Sequence, residues 1–263
     1  MPVLALFVVL SGVTLNPLFA GGKKEAPVSS NASVTILVAA AASLEYSYKD
    51  KLIPLFQKNY PWITVEGTYD SSGKLQTQIE QGLSADVFMS AARRQMDALV
   101  GQGLVSAGSV RLLLENKIVL IKPLGISTAV RGFQNAADAK TIALGDPASV
   151  PAGLYAKEVF VSLGIWDAVS AKASFGTNVT EVLNWVGEGS ADAGVVYATD
   201  AAVSKKVEII AEAPAGSLAA PVIYPVGQVT SSAHPEEAKL FIDFLASDEA
   251  MAIFKSYGFS PHN

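Results

Sequence analysis

Short apolar runs that end in a small hydroxyl residue and pass into an amphipathic helix recur along this chain, and they limit the available folds more than any other feature. Val34 to Ala42 reads as a buried strand that leads through Ser43 into a helix over Leu44 to Tyr60, with Leu52, Ile53 and Phe56 on its apolar face. Pro54 should kink that helix or mark a restart. Trp62 to Tyr69 is a second strand, followed by Asp70-Ser71-Ser72-Gly73 and an amphipathic helix that ends near Gly82. Ala85 to Ala91 gives a third strand, Arg93 to Val100 a third helix, and Lys117 to Pro123 a fourth strand. The rhythm then begins again, with Thr141 to Leu144 as a strand, Gly145 to Gly153 as a turn and Leu154 to Leu163 as a helix. A helix over Val179 to Val186 precedes the strand Ala193 to Tyr197, which runs into Ala198-Thr199-Asp200. Ala211 to Pro221 is loop-like, Val222 to Val229 a last strand, and helices over Pro235 to Leu245 and Asp248 to Tyr257 close the chain. This alternation predicts an α/β fold with mostly parallel sheets, and a second half built like the first implies two lobes with a cleft between them.

In such sheets ligands sit at the carboxyl ends of the strands, where Ser43 and Ser72 fall. A helix start also leaves backbone N–H groups without internal partners and carries partial positive charge, which together favour an anion. The same reasoning adds the backbone around Ala152, the helix start at Val179 and the hydroxyl of Tyr197 as neutral donors at equivalent ends of the two halves. Each has a plain structural reading as well: Ser-Ser-Gly turns commonly do no more than cap a helix, Tyr197 suits a core, and Val179 suits ordinary helix packing.

Other chemistries fit poorly. The formal net charge of −5 and pI near 5.1 argue against nucleic acid or acidic membranes as partners, so any anion must be bound by local groups. The chain has no cysteine, which removes disulfides, thiolate metal sites and thiol nucleophiles. Gly67 to Lys74 resembles a phosphate loop, but five residues separate Gly67 from Gly73 and Leu75 stands where magnesium would need Ser or Thr. Ser71-Ser72-Gly73-Lys74 fits Ser-x-x-Lys without the companion motifs of acylases. A Ser-His-Asp triad would have to use His234 or His262, both read as solvated residues near the C-terminus. Glu80, Asp86 and Asp146 each stand at a turn or helix end, where carboxylates commonly cap backbone donors. At the N-terminus, Pro2 to Leu10 is nearly all apolar and Leu18-Phe19-Ala20-Gly21 offers a small residue for cleavage. That pattern predicts a secretory signal over residues 1–20, although no Lys or Arg precedes the apolar run. Residues 21–32 read as a flexible lead-in.

Six ordered motifs carry a resemblance that spans about Val34 to Phe259. They are Ala40-Ala41-Ala42-Ser43-Leu44, Ser71-Ser72-Gly73-Lys74-Leu75, Ala85-Asp86-Val87-Phe88-Met89-Ser90-Ala91, Gly145-Asp146-Pro147 with Val150-Pro151-Ala152-Gly153-Leu154-Tyr155-Ala156-Lys157-Glu158, Gly194-Val195-Val196-Tyr197-Ala198-Thr199-Asp200-Ala201, and Phe254-Lys255-Ser256-Tyr257-Gly258-Phe259. In these the chain resembles the periplasmic molybdate-binding proteins of molybdate ABC importers.

The resemblance implies the two-lobed type II periplasmic binding protein fold, with lobe 1 over residues 33–117 and 222–263 and lobe 2 over residues 118–221. It implies a bare tetrahedral oxyanion, molybdate or tungstate, held by Ser43, Ser72, Ala152, Val179 and Tyr197, with Ser71 as the alternate beside Ser72. It also implies no enzymatic activity, no cofactor, no directly bound metal ion, and a monomer outside the cytoplasm that delivers its ligand to an ABC permease and its ATPase subunit. Lys74 departs from the family pattern and is read as solvent-facing on the first helical turn. The expected cage is uncharged, made only of donors. A receptor for sulfate, phosphate or tungstate, a secreted serine hydrolase and a sensor on the same fold stand as alternatives.

Overall fold

The computed structural model describes residues 33–262, so the signal and lead-in expected over residues 1–20 and 21–32 lie outside the described residues. The first half runs β1 Val34–Ala41, α1 Glu45–Ser47, α2 Ile53–Asn59, β2 Ile63–Asp70, α3 Ser72–Glu80, β3 Val87–Met89, α4 Arg93–Gly101 and β4 Arg111–Asn116. Next come β5 Ile118–Pro123, β6 Ile142–Gly145, α5 Pro151–Ser162, α6 Trp166–Ser170, β7 Ala173–Gly176, α7 Val179–Gly187, β8 Ala193–Tyr197, α8 Ala198–Val203 and β9 Val207–Glu212. β10 Val222–Gln228, α9 Pro235–Leu245, α10 Asp248–Ser256 and β11 Ser260–Pro261 complete the chain.

Two sheets result, in the strand orders β11-β4-β10-β3-β1-β2 and β7-β6-β8-β5-β9. The chain therefore passes from the first sheet to the second at Lys117 and returns before β10. The parallel arrangement expected from the alternation holds among β1, β2 and β3 and among β6, β7 and β8. Each sheet is mixed overall, because the strands next to the crossings, β4, β5 and β10, pair antiparallel with their neighbours. Only Lys117 separates β4 from β5, yet the two belong to different sheets.

The side-chain period of two along β1 feeds two cores. Ile36, Val38 and Ala40 point into one with Tyr48, Phe56 and Phe241, whereas Ala39 points into the other with Leu75, Ile79, Met96 and Leu99 from α3 and α4. A strand covered on both faces must be apolar where it is covered, which explains the unbroken apolar run from Ile36 to Ala41 in β1. Phe56 meets Phe241 edge to face at 4.9 Å, which ties the last helices to the first lobe.

Two local expectations change. The helix carrying Pro54 restarts as expected, but through a π turn not foreseen: over Tyr48–Leu52 the Ile53 N–H donates to the Tyr48 carbonyl, and α2 follows with Pro54 in its first turn. The turn expected through Gly153 ends sooner, since Pro151, Ala152 and Gly153 already form the first turn of α5. Gly153 is required there, as a Cβ would lie 2.0 Å from the Gly145 carbonyl oxygen.

Candidate ligand-binding site

The parallel strands of both lobes end at one place. β1, β2 and β3 stop at Ala41, Asp70 and Met89, and β6, β7 and β8 stop at Gly145, Gly176 and Tyr197. The residues at or just beyond these ends line a single cavity, and Ser43, Ser72, Ala152, Val179 and Tyr197 are all on its wall. The space open to the centre of a water molecule is about 10 Å³, roughly what one ordered water requires. A space of that size has no room for an amino acid or a sugar. The lobes meet tightly beside it, where the Gly73 N–H of α3 donates to the Ser149 carbonyl at 2.9 Å.

Ser43 is oriented by a chain of hydrogen bonds. The Asn116 Oδ1 accepts the Lys117 N–H at 2.8 Å, so its Nδ2 must be the donor to Tyr224 at 3.1 Å and to Thr199 Oγ1 at 2.9 Å. The Tyr224 hydroxyl in turn lies 2.9 Å from Ser43 Oγ, within hydrogen-bond distance with either group as donor, and so fixes the Ser43 side chain at the cavity. Ser72 reaches the same condition by a shorter route, since its Oγ accepts the Ala91 N–H at 3.0 Å. Both serines are thus held in place on the cavity wall, and Ser72, which accepts from a backbone amide, keeps its own proton to donate.

Tyr197 is 1% exposed, and its hydroxyl donates to the Ala91 carbonyl at 3.4 Å. Burial first, then the neighbouring Tyr224, pushes its pKa well above the usual tyrosine value. Burial, followed by the charge of Asp200, does the same for Tyr224. Both hydroxyls therefore stay protonated near neutral pH, and Tyr197 gives its proton to a ligand only by turning it from the long contact with Ala91. Ala152 and Val179 contribute backbone at the starts of α5 and α7. Neither α3 nor α5 has a side-chain cap, while Asn178 caps α7 by accepting the Glu181 N–H at 2.9 Å. The uncapped starts leave backbone donors and partial positive charge next to the cavity.

The wall is not made of donors alone, which corrects the expectation of an uncharged cage. Asp70 lines the cavity as well. Its Oδ1 accepts the Ser71 N–H at 2.8 Å and Asn178 Nδ2 at 3.2 Å, and Lys74 Nζ lies 3.4 Å from its Oδ2. Lys74 is thus a partly buried partner that offsets this carboxylate, not a freely solvated side chain. A second carboxyl, Asp200, is buried at the start of α8 and accepts the Tyr197 N–H at 3.1 Å; burial pushes it up to about 7. His234 and His262 are not on the wall, and His262 is half-buried with Nδ1 2.7 Å from Glu115 Oε1 rather than solvated. Among the described residues no cluster of His, Cys, Asp and Glu side chains is arranged to hold a metal ion.

Sequence reasoning missed Tyr224 and Asn116, because Tyr224 lies 181 positions from the serine it orients. Their only signal was a tyrosine and an asparagine at the two strands that cross between lobes.

Comparison with known proteins agrees with this geometry. Residues 36–260 match the family model of the bacterial extracellular solute-binding proteins. A Bacillus subtilis relative named as an ABC transporter substrate-binding lipoprotein, YvgL, is 41% identical over 254 residues, covering 96% of this chain and 97% of the relative. The molybdate-binding protein ModA of Escherichia coli is 36% identical over 256 residues, covering 92% of this chain and 96% of ModA. Among solved structures, the substrate-binding domain assigned to a molybdenum ABC transporter of Clostridium difficile superposes with a TM-score of 0.67 at 34% identity, over 88% of this chain and all of that one.

Proposed function

This chain belongs to the bacterial extracellular solute-binding proteins, and on that premise we propose that it captures molybdate outside the cytoplasm and delivers it to an ABC importer. The observation that carries the reading is the meeting of Ser43, Ser72, Ala152, Val179 and Tyr197 on one small cavity at the strand ends of both lobes. These five are our proposed ligands to the oxyanion, and tungstate, nearly the same in size and charge, is expected to bind about equally.

Neutral donors are enough for such a ligand. Molybdate at neutral pH has four oxygens and no proton to give, so a wall rich in serine hydroxyls and backbone N–H groups matches it. Each hydrogen bond to a charged oxygen contributes roughly 1.5–3 kcal/mol net, so a handful covers the about 8–12 kcal/mol of micromolar-to-nanomolar binding. Against sulfate, equal in charge and shape, discrimination falls to cavity size.

The chemistry of the wall supports binding rather than catalysis. Ser43 is paired with Tyr224 and Ser72 with the Ala91 amide, so neither has the general base that a nucleophile requires. We read ligand bridging as the event that favours the closed arrangement of the lobes, and the closed form as what docks on the permease whose ATPase subunit drives transport. Calorimetric titration with molybdate, tungstate and sulfate tests the assignment. Molybdate and tungstate should bind far more tightly than sulfate; the reverse order would transfer the protein to another oxyanion.

A further inference from the structure

Ser71 is buried to 3% exposure on the wall of the cavity, and its Oγ has no hydrogen-bond partner among the described residues. A buried hydroxyl left without a partner costs stability, so its persistence calls for a cause. Its position makes the vacancy more telling. Ser71 is the N-cap residue of α3, where a serine oxygen ordinarily accepts an N–H of the first turn, yet no side-chain cap bond forms. The Gly73 N–H that such a bond could use donates across the cleft to Ser149 instead. The adjacent Asp70 carboxylate is held by the Ser71 N–H, Asn178 and Lys74. Ser43 and Ser72 both have partners within the protein, which leaves Ser71 as the serine on this wall with nothing to bond.

We propose that the Ser71 hydroxyl is a further donor to the bound tetrahedral oxyanion, supplementing the five groups named above and resting on that assignment. Binding would then supply the partner that the fold withholds. Three serines would approach the ion from the first lobe, with Ser71 and Ser72 adjacent at the start of α3.

The test is Ser71→Ala, measured by calorimetric titration with molybdate and by thermal unfolding with and without it. Losing a hydrogen bond to a charged oxygen should weaken binding about 10–100-fold, while the ligand-free protein unfolds at the same or a higher temperature because an unpaired buried hydroxyl is gone. Unchanged affinity in the variant, with the wild type binding normally, overturns this inference alone. So does a lower unfolding temperature without ligand combined with an undiminished gain on adding molybdate, the signature of a structural cap. A wild-type chain that binds no oxyanion overturns the functional assignment and this inference with it. Should Ser71→Ala fail to fold, a crystal structure of the wild type with molybdate decides: Ser71 Oγ within hydrogen-bond distance of an oxyanion oxygen supports the proposal, and a hydroxyl turned away refutes it.

Discussion

A serine serves an anion best when the protein holds its side chain in place, and two serines of this cavity are held by different means. Ser72 uses a backbone amide, whereas Ser43 depends on Tyr224, which in turn depends on Asn116. That dependence gives a sharp expectation. Tyr224→Phe keeps the ring that packs edge to face on Tyr197 at 5.6 Å and removes only the hydroxyl. Ser43 then loses its fixed orientation, and molybdate affinity should fall about 2–10-fold, the range of one neutral hydrogen bond. Titration of the variant alongside wild type checks this, and an unaltered affinity would mean that Ser43 needs no orienting partner. That Ser43, Ser72 and Tyr197 stand at the strand ends was legible in the residues themselves, because hydroxyls at strand ends are local features. Their orientation was not, since it is set by contacts between residues far apart in the chain.

At the level of elements, two glycines separate folding from closure. Gly153 lets α5 lie against the end of β6, and Gly73 lets α3 touch the opposite lobe, where a Cβ would sit 2.4 Å from the Ser149 carbonyl oxygen. Gly153→Ala should therefore overpack one lobe and lower its stability by about 1–3 kcal/mol. Gly73→Ala should leave unfolding nearly unchanged but weaken ligand binding, because the lobes can no longer meet. Thermal unfolding and titration of both variants test the contrast, and equal effects on both properties would contradict it. The strand–helix alternation made most elements legible, including β8, α9 and the starts of α3 and α7. β4 was missed because its apolar run is only Leu112 to Leu114, too short to read as a strand by itself, and it lies one residue from β5 although the two belong to different sheets. β7 and β9 escaped notice as edge strands whose side chains are largely half-buried or exposed, so neither shows the apolar signal of a buried strand. The antiparallel neighbours follow from the crossings, a property of the whole path of the chain that no short window contains.

For the whole molecule, an anion receptor with a net charge of −5 repels its own ligand at long range. The outer cleft beside the cavity strengthens the effect, since Glu45, Glu181 and Glu188 line it and, among the described residues, only Glu45 has a salt-bridge partner, Lys49. Capture therefore relies on short-range donors, and the repulsion should yield to salt. The screening length shrinks from about 30 Å at 0.01 M to about 8 Å at 0.15 M ionic strength. Stopped-flow association with molybdate should accordingly become several-fold faster across that range, and a rate that falls with salt would contradict the expected repulsion. All of this presumes that the cavity at the strand ends holds the ion. A crystal structure grown with molybdate tests that most directly: the account predicts one oxyanion between the lobes within hydrogen-bond reach of Ser43, Ser72, Ala152, Val179 and Tyr197, and an empty cavity, or an ion bound elsewhere with Tyr197 turned away, would contradict it.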